Sequence, residues 1–211
     1  MSAAEKGLKK DIVDCSISLH RRGLTTGLGG NVSARIAGSG EVWITPTSLY
    51  KPKLRTSDLV KIDLNGRVKE GSLKPSKEWP FHTAIYKKRS DVNAVVHAHS
   101  PMATGLALAG VKIKPLTLEA ALVVADVPIL PLKYPSTKEL ADLVGENIVN
   151  NQVLILQNHG VVGVGRDLAE ATSAVEILEE CATLTFVASH FGKPAELPQR
   201  DIDQIRKIYK T

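Results

Sequence analysis

The sequence predicts an α/β fold in which a sheet with substantial antiparallel content is covered by helices. Apolar runs of strand length, such as "NAVVHAH", "VLILQ" and "GVVGVG", alternate with longer segments of helical period. Asn65–Gly66 stands between two shorter runs and is a strong hairpin signal. No repeat, linker-like change of composition or low-complexity tract divides the 211 residues, so one domain over 1–211 is expected.

The elements follow in order. "EKGLKKDIVDCSISLHRRG" carries Leu8, Ile12, Cys15 and Leu19 on one helical stripe and stops at Gly23. A glycine-rich loop, "TTGLGGNVSARIAG", comes next, followed by "EVWIT" and "LVKIDL" as strands and by the turn into "RVKEG". "PSKEWPFHTAIYKKR" is a helix with Ser76 as its expected N-cap, and Pro80 is tolerable in its first turn. "NAVVHAH" is a strand, after which Ser100–Pro101 is expected to cap a helix over "MATGLALAG". "VPILP" and "VLILQ" are short buried strands separated by the helix "TKELADLVGENIV", and "GVVGVG" is another strand. The last long helix is expected from Asp167 to about His190, ended by Gly192–Lys193–Pro194.

Composition narrows the function. Hydrophobic residues are 43% and charged residues 23%, the balance of a soluble globular protein. The net charge of +5 is spread along the chain, and aromatics for stacking on bases are few, which disfavours nucleic acid. An anionic small substrate explains the same mild excess. Cys15 and Cys181 are far apart and form no CxxC pattern, so both read as packed thiols. The first ten residues lack an apolar signal core and no run has the length of a membrane span, so a cytoplasmic protein with no membrane partner is expected.

Chemistry concentrates at two strand ends. Alternate strand residues project to the same face, so His97 and His99 stand side by side, as a chelating pair or as two buried, hydrogen-bonded imidazoles. His159 lies where "VLILQ" runs into Gly160, a residue suited to a tight turn or a close backbone approach. Three neutral imidazoles would hold a divalent ion and leave a position for substrate. Glu78 is expected in the first turn of its helix, where a carboxylate also complements the helix dipole. Ser76 and the helix N–H groups form a natural phosphate cradle, to which Asn31 of "GLGGN" and Thr47 and Ser48 of "ITPTS" add donors.

The order "GGNVSAR", "WITPTS", "PSKEWPFH", "AVVHAHSP", "LQNHGVV" resembles the class II aldolase and adducin head domain family over nearly the whole chain. That resemblance implies a three-layer α/β/α domain around a mainly antiparallel sheet, assembled as a homotetramer with active sites at subunit interfaces. It implies one divalent metal per subunit held by His97, His99 and His159. Zinc is the first expectation, with manganese or cobalt also compatible. Glu78 matches the acid/base glutamate and a possible fourth ligand, and Asn31, Thr47, Ser48 and Ser76 match positions that bind substrate phosphate. His82 is assigned to packing, and His20 and His190 show no partner pattern.

The implied reaction is carbon–carbon cleavage of a phosphorylated ketose, similar to L-fuculose 1-phosphate, giving dihydroxyacetone phosphate and an aldehyde through a metal-stabilised enediolate. "KPSKEWPFH" looks like the branch that decarboxylates 3-oxo-tetronate 4-phosphate, with pentulose-phosphate 4-epimerisation and a non-catalytic adducin-like module as further alternatives. Two departures stand out. Lys77 replaces a second serine beside Glu78 and would bind a phosphate or carboxylate, or point to solvent. Glu119 falls roughly where the aldolase has a proton-donating tyrosine, and is either an acid/base group or a surface residue at a helix start.

Overall fold

A computed structural model of the chain describes residues 2–124 and 127–209. Its elements are α1 (Ala3–Arg21), β1 (Asn31–Ala34), β2 (Glu41–Ile44), β3 (Val60–Asp63), β4 (Val68–Glu70), α2 (Trp79–Lys88), β5 (Ala94–Ala98) and α3 (Pro101–Leu108). These are followed by α4 (Ala120–Val123), β6 (Ile129–Leu130), α5 (Lys138–Asn147), β7 (Val153–Leu156), β8 (Gly160–Gly165), α6 (Leu168–Phe191) and α7 (Gln199–Tyr209). The eight strands form one sheet in the order β4-β3-β2-β1-β5-β8-β7-β6. Every neighbouring pair is antiparallel except β6 with β7.

Strand residues without polar alternation must be buried on both faces, and that produces the three layers. Val96, Ile155 and Val161 pack with Ile12 and Leu19 of α1, Ala103 of α3 and Leu178 of α6. Their neighbours Val95, Leu154 and Val162 turn the other way, onto Phe81 and Ile85 of α2 and Leu140 and Val144 of α5. Each such side chain contributes roughly 1.5–3 kcal/mol when fully buried. β5 lies at the centre, between β1 and β8, and is buried at all five positions. It is therefore a stiff platform for whatever its end carries.

Four local expectations are corrected. The glycine-rich loop contains strand β1, whose Asn31 and Ser33 face His97 and Val95 across the ladder. Polar residues there hid a strand that is buried at every position. Ser76 is not the N-cap of α2: the helix begins at Trp79 with Glu78 at the cap position, and the Ser76 hydroxyl accepts from Glu78 N–H (3.3 Å) just ahead of the first turn. Ser100 occupies the cap position of α3 but its hydroxyl caps nothing. Glu179 of α6 instead accepts from the N–H groups of Met102 and Ala103, both at 2.9 Å. Finally, a helix, α7, follows the glycine–lysine–proline stop and buries Ile202 and Ile205 against Ala121 of α4.

One contact ties the far end of α2 to the sheet. The buried Arg35 guanidinium, just past β1, donates to the carbonyls of Val92 (3.0 Å), Arg89 (3.1 Å) and Ser90 (3.2 Å). A cation at a helix C-terminus satisfies carbonyls that have no helical partner. It also fixes α2 relative to β1, and with it Glu78 relative to Asn31.

Candidate active site

His97 is the last residue but one of the buried strand β5, and His99 follows just past its end, as the alternation predicts. His159 reaches them from the turn between β7 and β8, where Asn158 takes a left-handed conformation (φ 61°). Gly160 is required there, since a Cβ would lie 2.3 Å from the Ala98 carbonyl oxygen. The loop before β1 presses on the same point: a Cβ on Gly29 would meet the His99 ring at 2.8 Å. Ring centroids of His97, His99 and His159 lie 4.7 to 5.7 Å apart, and one ring nitrogen from each falls within 4.8 Å of the others.

Glu78 closes the group. Its Oε2 lies 3.4 Å from His97 Nε2 and its Oε1 3.3 Å from His159 Nε2. Asn31 Nδ2 donates to Oε2 at 2.7 Å. Burial works to raise the Glu78 pKa, but His97, His159, the Asn31 amide and His99 outweigh it, and the carboxyl is held below its usual range. Burial pushes His97 down to about 4 despite the carboxylate, and lowers His99 as well, so these imidazoles are neutral near pH 7.

Do these residues fit a metal ion? His97 Nδ1 is 2.9 Å from the Val161 carbonyl and must donate to it, which leaves the Nε2 lone pair free. His97 Nε2 and Glu78 Oε1 are buried without hydrogen-bond partners among the described residues. Buried polar atoms are ordinarily paired. Neutral imidazoles with free lone pairs turned towards a carboxylate suit a divalent cation of the zinc type. The residues fit the ion.

Behind Asn31 lies a contact that sequence reasoning missed. Because Nδ2 donates to Glu78, the Asn31 Oδ1 is the acceptor for His82 Nε2–H, at 2.5 Å. His82 Nδ1 is then the acceptor for the Ser33 hydroxyl at 2.7 Å, and Tyr86 Oη stands 2.9 Å from that hydroxyl. His82 is fully buried and stacks on Phe81 (4.6 Å), so the expected packing role is present as well. Burial holds its pKa well below the ordinary value, which suits a neutral ring that donates at one nitrogen and accepts at the other. The signal for this relay lay in Asn31, Ser33, His82 and Tyr86 inside apolar patterns, but the bonded partners are about fifty positions apart in the chain.

Thr47, Ser48, Ser76, Lys77, Asn31, Glu78, His99 and His159 all line one cavity of about 320 Å³. The segments "TPTS" and "KPS" run together through Ser76 N–H to Thr45 O (3.0 Å) and Thr47 N–H to Lys74 O (3.1 Å). Ser48 and Ser136, both on the lining, adopt left-handed backbone (φ 56° and 68°). Non-glycine residues held there carry strain, and such strain collects at functional sites. Lys77 is exposed at the rim. Lys51, which the sequence did not single out, is the buried lysine of this lining, 3% exposed. Glu119 is exposed at the start of α4 and is not part of the lining within one chain. Larger hollows elsewhere, of about 550 and 830 Å³, lack this convergence of imidazoles and carboxylate.

Together the fold and the site define a lyase of the class II aldolase type. Residues 10–186 match the family described as Class II Aldolase and Adducin N-terminal domain, and the chain belongs to that family. It is 32% identical over 202 residues to 5-deoxy-D-ribulose 1-phosphate aldolase of Bacillus thuringiensis, covering 96% of this chain and 95% of that one. It is 35% identical to 3-oxo-tetronate 4-phosphate decarboxylase of Escherichia coli, covering 87% and 88% of the two chains. Among solved structures, an L-fuculose 1-phosphate aldolase superposes with a TM-score of 0.91 at 31% identity, over 100% of this chain and 98% of the other.

Proposed function

We propose that the protein cleaves a phosphorylated ketose to dihydroxyacetone phosphate and an aldehyde. The observation that carries this reading is Glu78, held by Asn31 within 3.4 Å of two imidazoles at the floor of a hydroxyl-lined cavity. His97, His99 and His159 would hold one divalent ion per chain, with Glu78 as a fourth ligand when substrate is absent. A bound ion of this kind supplies Lewis-acid stabilisation of the negative charge that develops on substrate oxygens.

The chain's own residues do the rest. Asn31, Thr47, Ser48 and Ser76 grip the phosphate, and that remote binding energy orients the bond to be broken. In the condensation direction the ionised Glu78 takes a proton from the carbon that becomes the nucleophile. In cleavage it delivers to the carbon from which the aldehyde has departed a proton that the substrate hydroxyl gave up and that reaches it through solvent. The substrate hydroxyl must lose its proton to a second group. Glu119 can serve only from a neighbouring subunit, which accords with a homotetramer whose sites lie at interfaces. A single domain over 1–211 and a cytoplasmic location complete the proposal.

Decarboxylation of a 3-oxo-tetronate 4-phosphate is the second reading, favoured by the 35% identical relative and the "KPSKEWPFH" segment. Both reactions release a product recognisable as dihydroxyacetone phosphate. A panel of phosphorylated ketoses and keto acids, assayed for that product with the metal-loaded protein, tests both. No product from any member of the panel would favour the non-catalytic alternative.

A further inference from the structure

Lys9 and Lys51 are both buried, but they are buried differently. Lys9 Nζ lies 3.9 Å over the Trp43 ring, which partners its charge. Lys51 Nζ makes one long hydrogen bond, 3.4 Å to the Leu49 carbonyl of its own loop. No carboxylate among the described residues forms an ion pair with it, and burial alone accounts for its lowered pKa. An ammonium has three donors, and burying one with neither counter-ion nor full hydrogen bonding is costly. The backbone nevertheless holds it there: Lys51 N–H donates to Gly27 O at 2.8 Å, and Gly27 lies so close to the Tyr50 ring that a Cβ would come within 2.3 Å of it.

The cavity supplies the reason. Lys51 shares its lining with Thr47, Ser48 and Ser76, and its charge is felt at His99 on the floor. The hydroxyls and the Asn31 amide are neutral, and Lys77 is exposed at the rim. A divalent ion with ionised Glu78 leaves one positive charge, and a phosphate dianion would turn that into one negative charge. One buried ammonium restores neutrality where water screens least. We propose that Lys51 Nζ binds the phosphate of the substrate and is the charge that selects a phosphorylated molecule. This rests on the sugar-phosphate reading of the site.

The test uses the full-length, metal-loaded protein, with inorganic phosphate as the probe in titration calorimetry. Lys51→Met should weaken phosphate binding by about tenfold or more, the value of a charge-assisted contact. Lys51→Arg should retain most of the affinity, and Lys77→Ser should lose no more than about fivefold. With substrate, Lys51→Met should raise KM more than it lowers kcat. Without ligand it should melt at or above the wild-type temperature, because it removes an unpaired buried charge; a lysine with a structural role would make the variant melt lower. If Lys51→Met does not fold, Lys51→Gln takes its place. Wild-type phosphate affinity in either folded variant, alongside normal release of dihydroxyacetone phosphate by the wild type, overturns the role of Lys51 and leaves the reading of the site intact. Unchanged phosphate binding with loss of keto-acid turnover alone would assign Lys51 to a carboxylate and also overturn it. A wild-type protein that neither binds phosphate nor releases product removes both.

Discussion

The floor and the side wall of the cavity are built on opposite terms. On the floor, His97 is tied to Val161, Glu78 to Asn31, and Asn31 through His82 to Ser33 and Tyr86, so orientations are fixed from behind. On the wall, Thr47 and Ser48 meet each other only at 3.5 Å, Ser48 and Lys77 are exposed, and the backbone at Ser48 is strained. A floor that needs no rearrangement suits chemistry common to several reactions. A wall with free donors can be retuned for different substrates. The relatives include two aldolases and a decarboxylase, so this fold carries more than one reaction. Changes to the floor should therefore cost rate or metal, and changes to the wall should cost affinity.

The largest effect expected on this contrast is at the ligands. His97→Ala should reduce metal content from about one ion per chain to near none and abolish turnover. Elemental analysis checks it, and full occupancy in a His97→Ala, His99→Ala double variant would refute the assignment. Glu78→Gln should lower kcat by about two to four orders of magnitude. Folding should change little, since the Glu78 side chain makes no capping bond to α2. A collapsed melting temperature with normal activity per folded molecule would make Glu78 a structural residue.

One level behind, the relay should matter less but still through rate. Ser33→Ala removes the donor that sets the His82 tautomer, and His82→Gln breaks the link to Asn31. Residues that orient a ligand group usually cost about 10–100-fold when changed. The split to look for is lower kcat with metal content retained and KM little changed. A rise in KM alone would move the relay from the floor to the wall.

The floor also predicts a pH signature in the metal-free protein. Folding lowers the His97 pKa from 6.5 to about 4, so the unfolded chain binds its proton first as pH falls. Stability from this group is then fully present above about pH 6.5 and is lost progressively down to about pH 4. Buried, neutral His82 acts in the same direction. Thermal midpoints of chelator-treated protein across this range should fall on acidification, and His97→Gln should flatten the slope.

The same contrast explains what the sequence made legible. Strands with continuous apolar character, and the histidines at their ends, stand out because burial on both faces leaves an unbroken run. β1 did not stand out, because Asn31 and Ser33 spend its inward positions on the relay and Gly29 and Gly30 precede it. His82 looked like packing because the partners that define it come from that concealed strand. Lys51 carried no signal, since "KPK" resembles any basic surface turn until burial is known. α7 did not stand out because it follows the glycine–lysine–proline stop of the last long helix and buries only Ile202 and Ile205. Residues made unusual by local pattern were found, and residues made unusual by distant neighbours were not.

The smallest effect should come from Lys77, one of the two departures from the aldolase pattern. A serine at this position matches the aldolase pattern, and a lysine suggested a binder for a second anionic group. The side chain is exposed, makes no ion pair among the described residues, and sits at the mouth of the cavity rather than among its buried donors. An exposed charge near an anionic ligand is worth about 0–1 kcal/mol, which corresponds to at most about a fivefold change. It also acts at a distance that salt can screen, the Debye length being about 8 Å at physiological ionic strength. Lys77→Ser should therefore lower kcat/KM for phosphorylated substrates by no more than about fivefold, mostly through KM, and the deficit should shrink as salt is raised. The ratio of keto-acid to ketose turnover should move by less than the same factor. A larger, salt-independent change in that ratio would mean that Lys77 turns inward when substrate binds, and would extend the wall's selecting surface to the rim.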